Sequence, residues 1–195
     1  MIEYVRRLPA GFFFLAAGIV YVLHHYYDWI VMERLINTGH PEKHVLDFVL
    51  FLAPLCFGYG ALRMYRGTDG RRSRSARVGI RIVVPASVVL SAAWFFAMWI
   101  YHSDIPWFVL LFFPGSLAMS AGLLLLPPAF RNPFVRAALV FLAVVTVAYP
   151  IAPQFVAAAE GLRVASSWKF ALGLSLGAVT AAFGGYVLLR KDPLG

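Results

Sequence analysis

Four of the chain's five histidines fall within 21 residues, in His24-His25-Tyr26-Tyr27-Asp28-Trp29 and His40-Pro41-Glu42-Lys43-His44-Val45-Leu46-Asp47. Imidazole and carboxylate together suit Zn, Fe, Cu or Mn, and they also suit proton transfer. On a helix, His24 and Asp28 are four apart and share a face. His25 and Asp28 are three apart, as are His44 and Asp47. His102 and Asp104 form a further pair. A metal would draw on His24, His25, Asp28, His44, His102 and Asp104. Asp47, like His102 and Asp104, could instead orient a ligand imidazole from behind. Metal-free catalysis would use Asp28 or Asp47 as the acid. Adjacent histidines cannot share one helix face, so one of His24 and His25 is expected to meet a neighbouring helix or a headgroup. His40, in a loop, is expected to be solvated. His44 with Asp47 can also simply start a helix, the acid lying near its positive end. The chain has no H-E-x-x-H, no C-x-x-C and no multi-histidine box. Haem is a weaker option, through His24 or His25 with His102.

These residues must be positioned by membrane helices. The 195 residues are 61% hydrophobic and 13% charged, with a mean hydropathy of +0.76. A soluble domain would carry about 25% charge. The apolar residues run in blocks of about 20, the length needed to cross roughly 30 Å of hydrocarbon. Lipid offers the backbone no hydrogen-bond partners, which leaves helices or a closed barrel. The blocks are too long and too uniform for barrel strands. The fold class expected is all-α, a polytopic bundle of six transmembrane helices at residues 10–32, 45–65, 79–101, 107–128, 134–153 and 168–189. Short loops make consecutive helices antiparallel neighbours, and residues 1–195 form one domain. Arg6 and Arg7 precede an apolar run without a small-residue cleavage pattern, so that run is expected to stay as the first span. Cys56, the single cysteine, can form no intrachain disulfide and is silent about compartment.

Charge sets the orientation. Thirteen of the 17 basic residues fall on one side of this arrangement, including Arg63, Arg66, Arg71, Arg72, Arg74, Arg77 and Arg81. Six of the nine acids, among them Asp28, Asp47 and Asp104, fall on the other. The positive-inside rule puts both termini in the cytoplasm. The location expected is a prokaryotic cytoplasmic membrane. The basic loop over residues 63–81 would lie against anionic headgroups, at about 1 kcal/mol per basic residue. That reading displaces nucleic-acid binding.

The outer side collects the chemistry. All five histidines and all five tryptophans map there, although aromatic belts ordinarily mark both interfaces. With a span starting near residue 11, His24 lies roughly 20 Å along it at 1.5 Å per residue. Ionisable groups at such depth normally face the bundle interior. Trp94, Phe95, Phe96, Trp99, Trp107, Phe108, Phe112 and Phe113 suit an apolar pocket or ordinary packing. Pro54, Pro85 and Pro114 lie inside spans two, three and four and can kink them. Gly173 and Gly177 make a G-x-x-x-G that lets helices approach closely.

The expected function is a metal-binding membrane enzyme or oxidoreductase subunit, acting on a hydrophobic or lipid-like substrate at the outer leaflet. The metal would be Cu, Fe or Zn. One alternative is metal-free acid/base catalysis on a lipid or isoprenoid. Another is a non-catalytic subunit among other membrane subunits. The order of Asp28, Pro41 and His44 resembles the C-type subunit of copper membrane monooxygenases, which implies a metal held near the outer ends of adjacent helices. That family has a further histidine about four residues after the Asp, where Met32 stands here. The resemblance is confined to the segment around these residues and assigns the chain to no family.

Overall fold

The computed structural model of this chain describes residues 8–34, 49–67, 73–96, 106–160 and 162–189, and all the regular structure in them is helical. In chain order these are α1 (Ala10–Arg34), α2 (Leu52–Arg66), α3 (Arg74–Phe96), α4 (Pro106–Leu124), a short 3-10 turn (Pro127–Ala129), α5 (Pro133–Glu160) and α6 (Leu162–Leu189). Five helices, α1 and α3 to α6, are long and apolar enough to cross a bilayer, the build of a multi-pass membrane protein in contact with lipid. Helix α2 is shorter, at 15 residues, and Leu50 before it is fully buried.

The helix ends have local causes. Ser73 starts α3, its Oγ accepting from the backbone N–H of Ala76. Asn132 starts α5, its Oδ1 accepting from Phe134 N–H at 2.9 Å. The Asn132 amide donates to the Tyr186 hydroxyl at 2.7 Å, tying that end of α5 to α6. Helix α4 stops at Leu124, short of the expected residue 128, because Pro127 and Pro128 have no N–H for the carbonyls of Leu123 and Leu124. The chain tightens instead into bonds from Leu125 N–H to Gly122 and from Leu126 N–H to Leu123.

Two expectations about proline change. Pro54 is the third residue of α2, where its missing N–H removes no intrahelical bond. Pro150 and Pro153, near the expected end of the fifth span, lie inside a helix that runs on to Glu160. In an apolar setting the chain keeps its remaining helical bonds, since leaving them would strand more carbonyls.

The six helices close into a ring in chain order, each packed on its sequence neighbours, with α1 meeting α6. Neighbours run antiparallel. Arg63, near the end of α2, donates to the Leu8 carbonyl just before α1 at 3.1 Å. Gly79 at the start of α3 faces Gly122 and Leu125 at the end of α4. Gly11 at the start of α1 faces Gly184 and Leu188 near the end of α6. One end of the bundle therefore gathers Arg63, Arg66, Arg74, Arg77, Arg81, Arg131 and Arg136. Among described side chains, Lys169 stands at the other end.

Glycine closes the ring. Gly18 on α1 lies against Ala181 and the Gly177 carbonyl, and Gly177 lies against Val22. A Cβ on Gly11 would sit 2.6 Å from the Gly184 carbonyl oxygen. Without these glycines the two backbones could not come so close.

Candidate functional site

His24 and His25 point into the ring, 5% and 4% exposed. Two neighbours on one helix are both buried because they turn towards different helices of the ring. Each imidazole meets a different neighbour. His24 packs edge-on to Trp94 of α3, with ring centres 5.8 Å apart. His25 meets Tyr149 of α5 at 5.3 Å and stacks along its own helix on Tyr21 at 6.5 Å.

Phe112 of α4 completes the group, 5.5 Å from Trp94 and 6.0 Å from Tyr149. With His24 and His25 5.0 Å apart, these contacts form a closed circuit: His24, Trp94, Phe112, Tyr149, His25. Four helices contribute a ring. The fifth, α6, contributes an absence, because the backbone at Gly173 lies against the His25 imidazole. The atoms of His25 nearest to where a Cβ would stand are Cδ2, Cγ and Nε2, at 2.4, 2.5 and 2.5 Å, so the face of the imidazole lies against α6 at Gly173.

The imidazole separation matters chemically. An ion holding two imidazoles tetrahedrally at about 2.0–2.1 Å keeps their ring centres about 5 Å apart. The pair in α1 has its centres 5.0 Å apart, in the edge-to-face arrangement at 73° that packed rings also adopt. Among the described residues, no three side chains of His, Cys, Asp or Glu come together. Asp28 lies on α1, but its side chain is not among those described. His40, His44, Asp47, His102 and Asp104 lie outside the described residues. The expected ligand set is thus represented by His24 and His25.

The aromatic wall sorts residues that sequence alone treats alike. Trp94 and Phe112 are buried in the circuit, whereas Phe95 and Phe96 are 37% and 43% exposed. Tyr149 and Tyr21 are site residues that sequence reasoning missed. A signal for Tyr149 was its place directly before Pro150 and near Pro153. Pro150 has no N–H for the carbonyl of Thr146, and such interruptions of membrane helices accompany binding sites.

The chain matches no known family model, no curated protein and no solved structure. The likeness around Asp28, Pro41 and His44 therefore stands on those residues alone.

Proposed function

We propose that this chain is a six-span membrane protein, both termini cytoplasmic, that holds a transition metal ion at the outer end of its helix ring. His24 and His25 are its imidazole ligands in α1, with Asp28 and His44 completing the set and Asp47, His102 and Asp104 in support. The protein acts as the metal-bearing part of an oxidoreductase or related enzyme on a small apolar or lipid-like substrate. The metal would supply redox or Lewis-acid chemistry. The chain's own rings would exclude water and line the path to it.

The observation carrying this reading is the pair of adjacent imidazoles, both buried inside the ring with their centres 5.0 Å apart, a separation that one ion can span. Ionisable side chains within the hydrocarbon are costly, and pairs of them mark function. The helix register extends the argument. On α1 and α2, Leu8 pairs with Arg63, Phe13 with Tyr59 and Phe14 with Phe57. The proposal makes α2 the sixth span, running antiparallel to α1 in this register. The concentration of arginine at the opposite end supports a cytoplasmic placement for that end.

A second reading draws on the aromatic circuit itself. Trp94, Phe112 and Tyr149 would shield a cationic intermediate while Asp28 or Asp47 supplies a proton, with no metal.

Elemental analysis of the untagged protein, purified in mild detergent beside His24→Ala and His44→Ala, separates the two. The metal reading predicts near one ion per chain, reduced at least tenfold in either variant. A metal-free protein from gently solubilised membranes would transfer the weight to acid/base chemistry.

A further inference from the structure

We propose that the exposed face of α3, at the arginine-rich end of the bundle, binds an anionic phospholipid. Arg74, Arg77 and Arg81 take its phosphate, and the apolar surface beside the α3–α4 seam takes its acyl chains. The site uses no residue of the imidazole group, so it stands or falls apart from the metal reading.

The charge of residues 63–81 favours headgroups in general, and the structure singles out one face. Arg74, Arg77, Val78, Arg81, Pro85 and Val88 are exposed, at helical spacings of three and four. Ala76, Ile80, Val83 and Ser87 are buried on the opposite side. The exposed stripe is basic over its first two turns and apolar beyond them.

Arg81 is the informative member. Gly79, two residues before it, packs on Gly122 and Leu125. Arg81 therefore lies level with the last turn of α4 and not beyond its end. Val78 on α3 and Leu124 on α4, at about the same level, are 43% and 49% exposed. A charge among such lipid-facing residues needs its head to reach the headgroups. Helical side chains lean towards the helix N-terminus, which for α3 is the arginine-rich end. Arg81 thus leans towards Arg77 and Arg74, and the three stem from a rise of about 10 Å.

Like charges three and four apart repel along a helix. A phosphate among them removes the repulsion, and the guanidinium fork fits its oxygens. Asp28, Glu33 and Glu160 are the acids among the described residues, and none stands at this end. Arg63 and Arg136, at the same end, donate instead to carbonyls of their own chain, Leu8 and Phe130. Below the arginines, Gly79 against Gly122 and Gly115 against Val89 and Leu90 hold α3 and α4 close. Exposed Pro85 and Val88 lie on one side of that seam, and exposed Leu117 and Ala121 on the other. Such a surface suits acyl chains continuing from a phosphate at Arg81.

The test is native mass spectrometry of the full chain in detergent, titrated with phosphatidylglycerol or phosphatidylcholine of the same acyl chains. Wild type should bind phosphatidylglycerol at least fivefold more tightly than phosphatidylcholine, the factor that about one basic residue supplies at an anionic surface. Arg81→Gln should lose that preference. Arg131→Gln is the matched control, an exposed arginine at the same end but outside α3. It should change the affinity less than twofold. Equal losses in the two variants would make the attraction a diffuse field of the whole end and overturn the proposal. So would equal binding of the two lipids by wild type. Inorganic phosphate that displaced phosphatidylglycerol better than chloride at equal ionic strength would indicate a site for free phosphate and also overturn it. Should Arg81→Gln fail to fold, Arg74→Gln is read in its place against Arg131→Gln, with the same two outcomes.

Discussion

At the residue scale, the decisive property is which aromatic side chains turn into the ring. Phe112 touches both Trp94 and Tyr149 and is 8% exposed, whereas Phe96 is 43% exposed. Phe112→Ala should open the circuit and leave a cavity that neighbouring helices close only in part. We expect a loss of at least about 1 kcal/mol, read as thermal unfolding in detergent by circular dichroism. Phe96→Ala should stay within about 0.5 kcal/mol of the parent. A second contrast concerns Ser91, whose hydroxyl donates to the Phe51 carbonyl just before α2. Ser91→Ala should cost about 0.6 kcal/mol, the usual worth of an interhelical hydrogen bond in a membrane. The histidines were legible in the sequence because ionisable groups stand out against apolar blocks. The choice of Trp94 and Phe112 over Phe95 and Phe96 was not. Lipid is as apolar as the bundle interior, so an aromatic ring fits either face, and the inward side is marked instead by small polar residues such as Ser87, Ser91, Ser116 and Ser120, which are buried.

At the element scale, the apolar blocks of the sequence correspond to helices, and their number of residues said so. Their ends were less legible. A proline that would stop a helix in water is retained in α5, because the alternative in lipid is a set of unsatisfied carbonyls. Two successive prolines, Pro127 and Pro128, do end α4. The seam between α1 and α6 was foreshadowed only by Gly173 and Gly177. Its fuller extent depends on Gly11, Gly18 and Gly184, which no short motif joins. Two adjacent glycines give a sharp test. A Cβ on Gly184 would meet the backbone of Leu15 and Gly11, while one on Gly185 meets nothing within 4 Å. Gly184→Ala should separate the helices and destabilise the protein by roughly 1–3 kcal/mol. Gly185→Ala should be neutral or stabilising by up to about 1 kcal/mol, from helix propensity alone. Unfolding temperatures of the two variants, measured side by side, check this.

At the scale of the whole molecule, the described arginines and the buried imidazoles are separated along the axis of the bundle. One end holds the described arginines, and the other holds the imidazoles and their aromatic enclosure. This polarity was readable from charge counts, because Lys and Arg alternate loop by loop. Closure of the ring was not readable, since nothing in the apolar blocks says which helix is last to meet the first. The orientation is testable with single cysteines in a Cys56→Ser background. Ser167→Cys should react with a membrane-impermeant maleimide in intact cells. Ser73→Cys should react only after permeabilisation. The reverse pattern would invert the protein and place the histidines at the cytoplasmic face.

The central claim is that His24 and His25 together bind one metal ion inside the helix ring. X-ray absorption at the metal edge of the untagged, metal-loaded protein tests it most directly. The account predicts the outer-shell scattering of two or three imidazoles per ion, with a metal–nitrogen distance of about 2.0–2.1 Å for zinc. One imidazole should disappear in His25→Ala. A spectrum with oxygen ligands and no imidazole scattering, or one unchanged by His25→Ala, would contradict it.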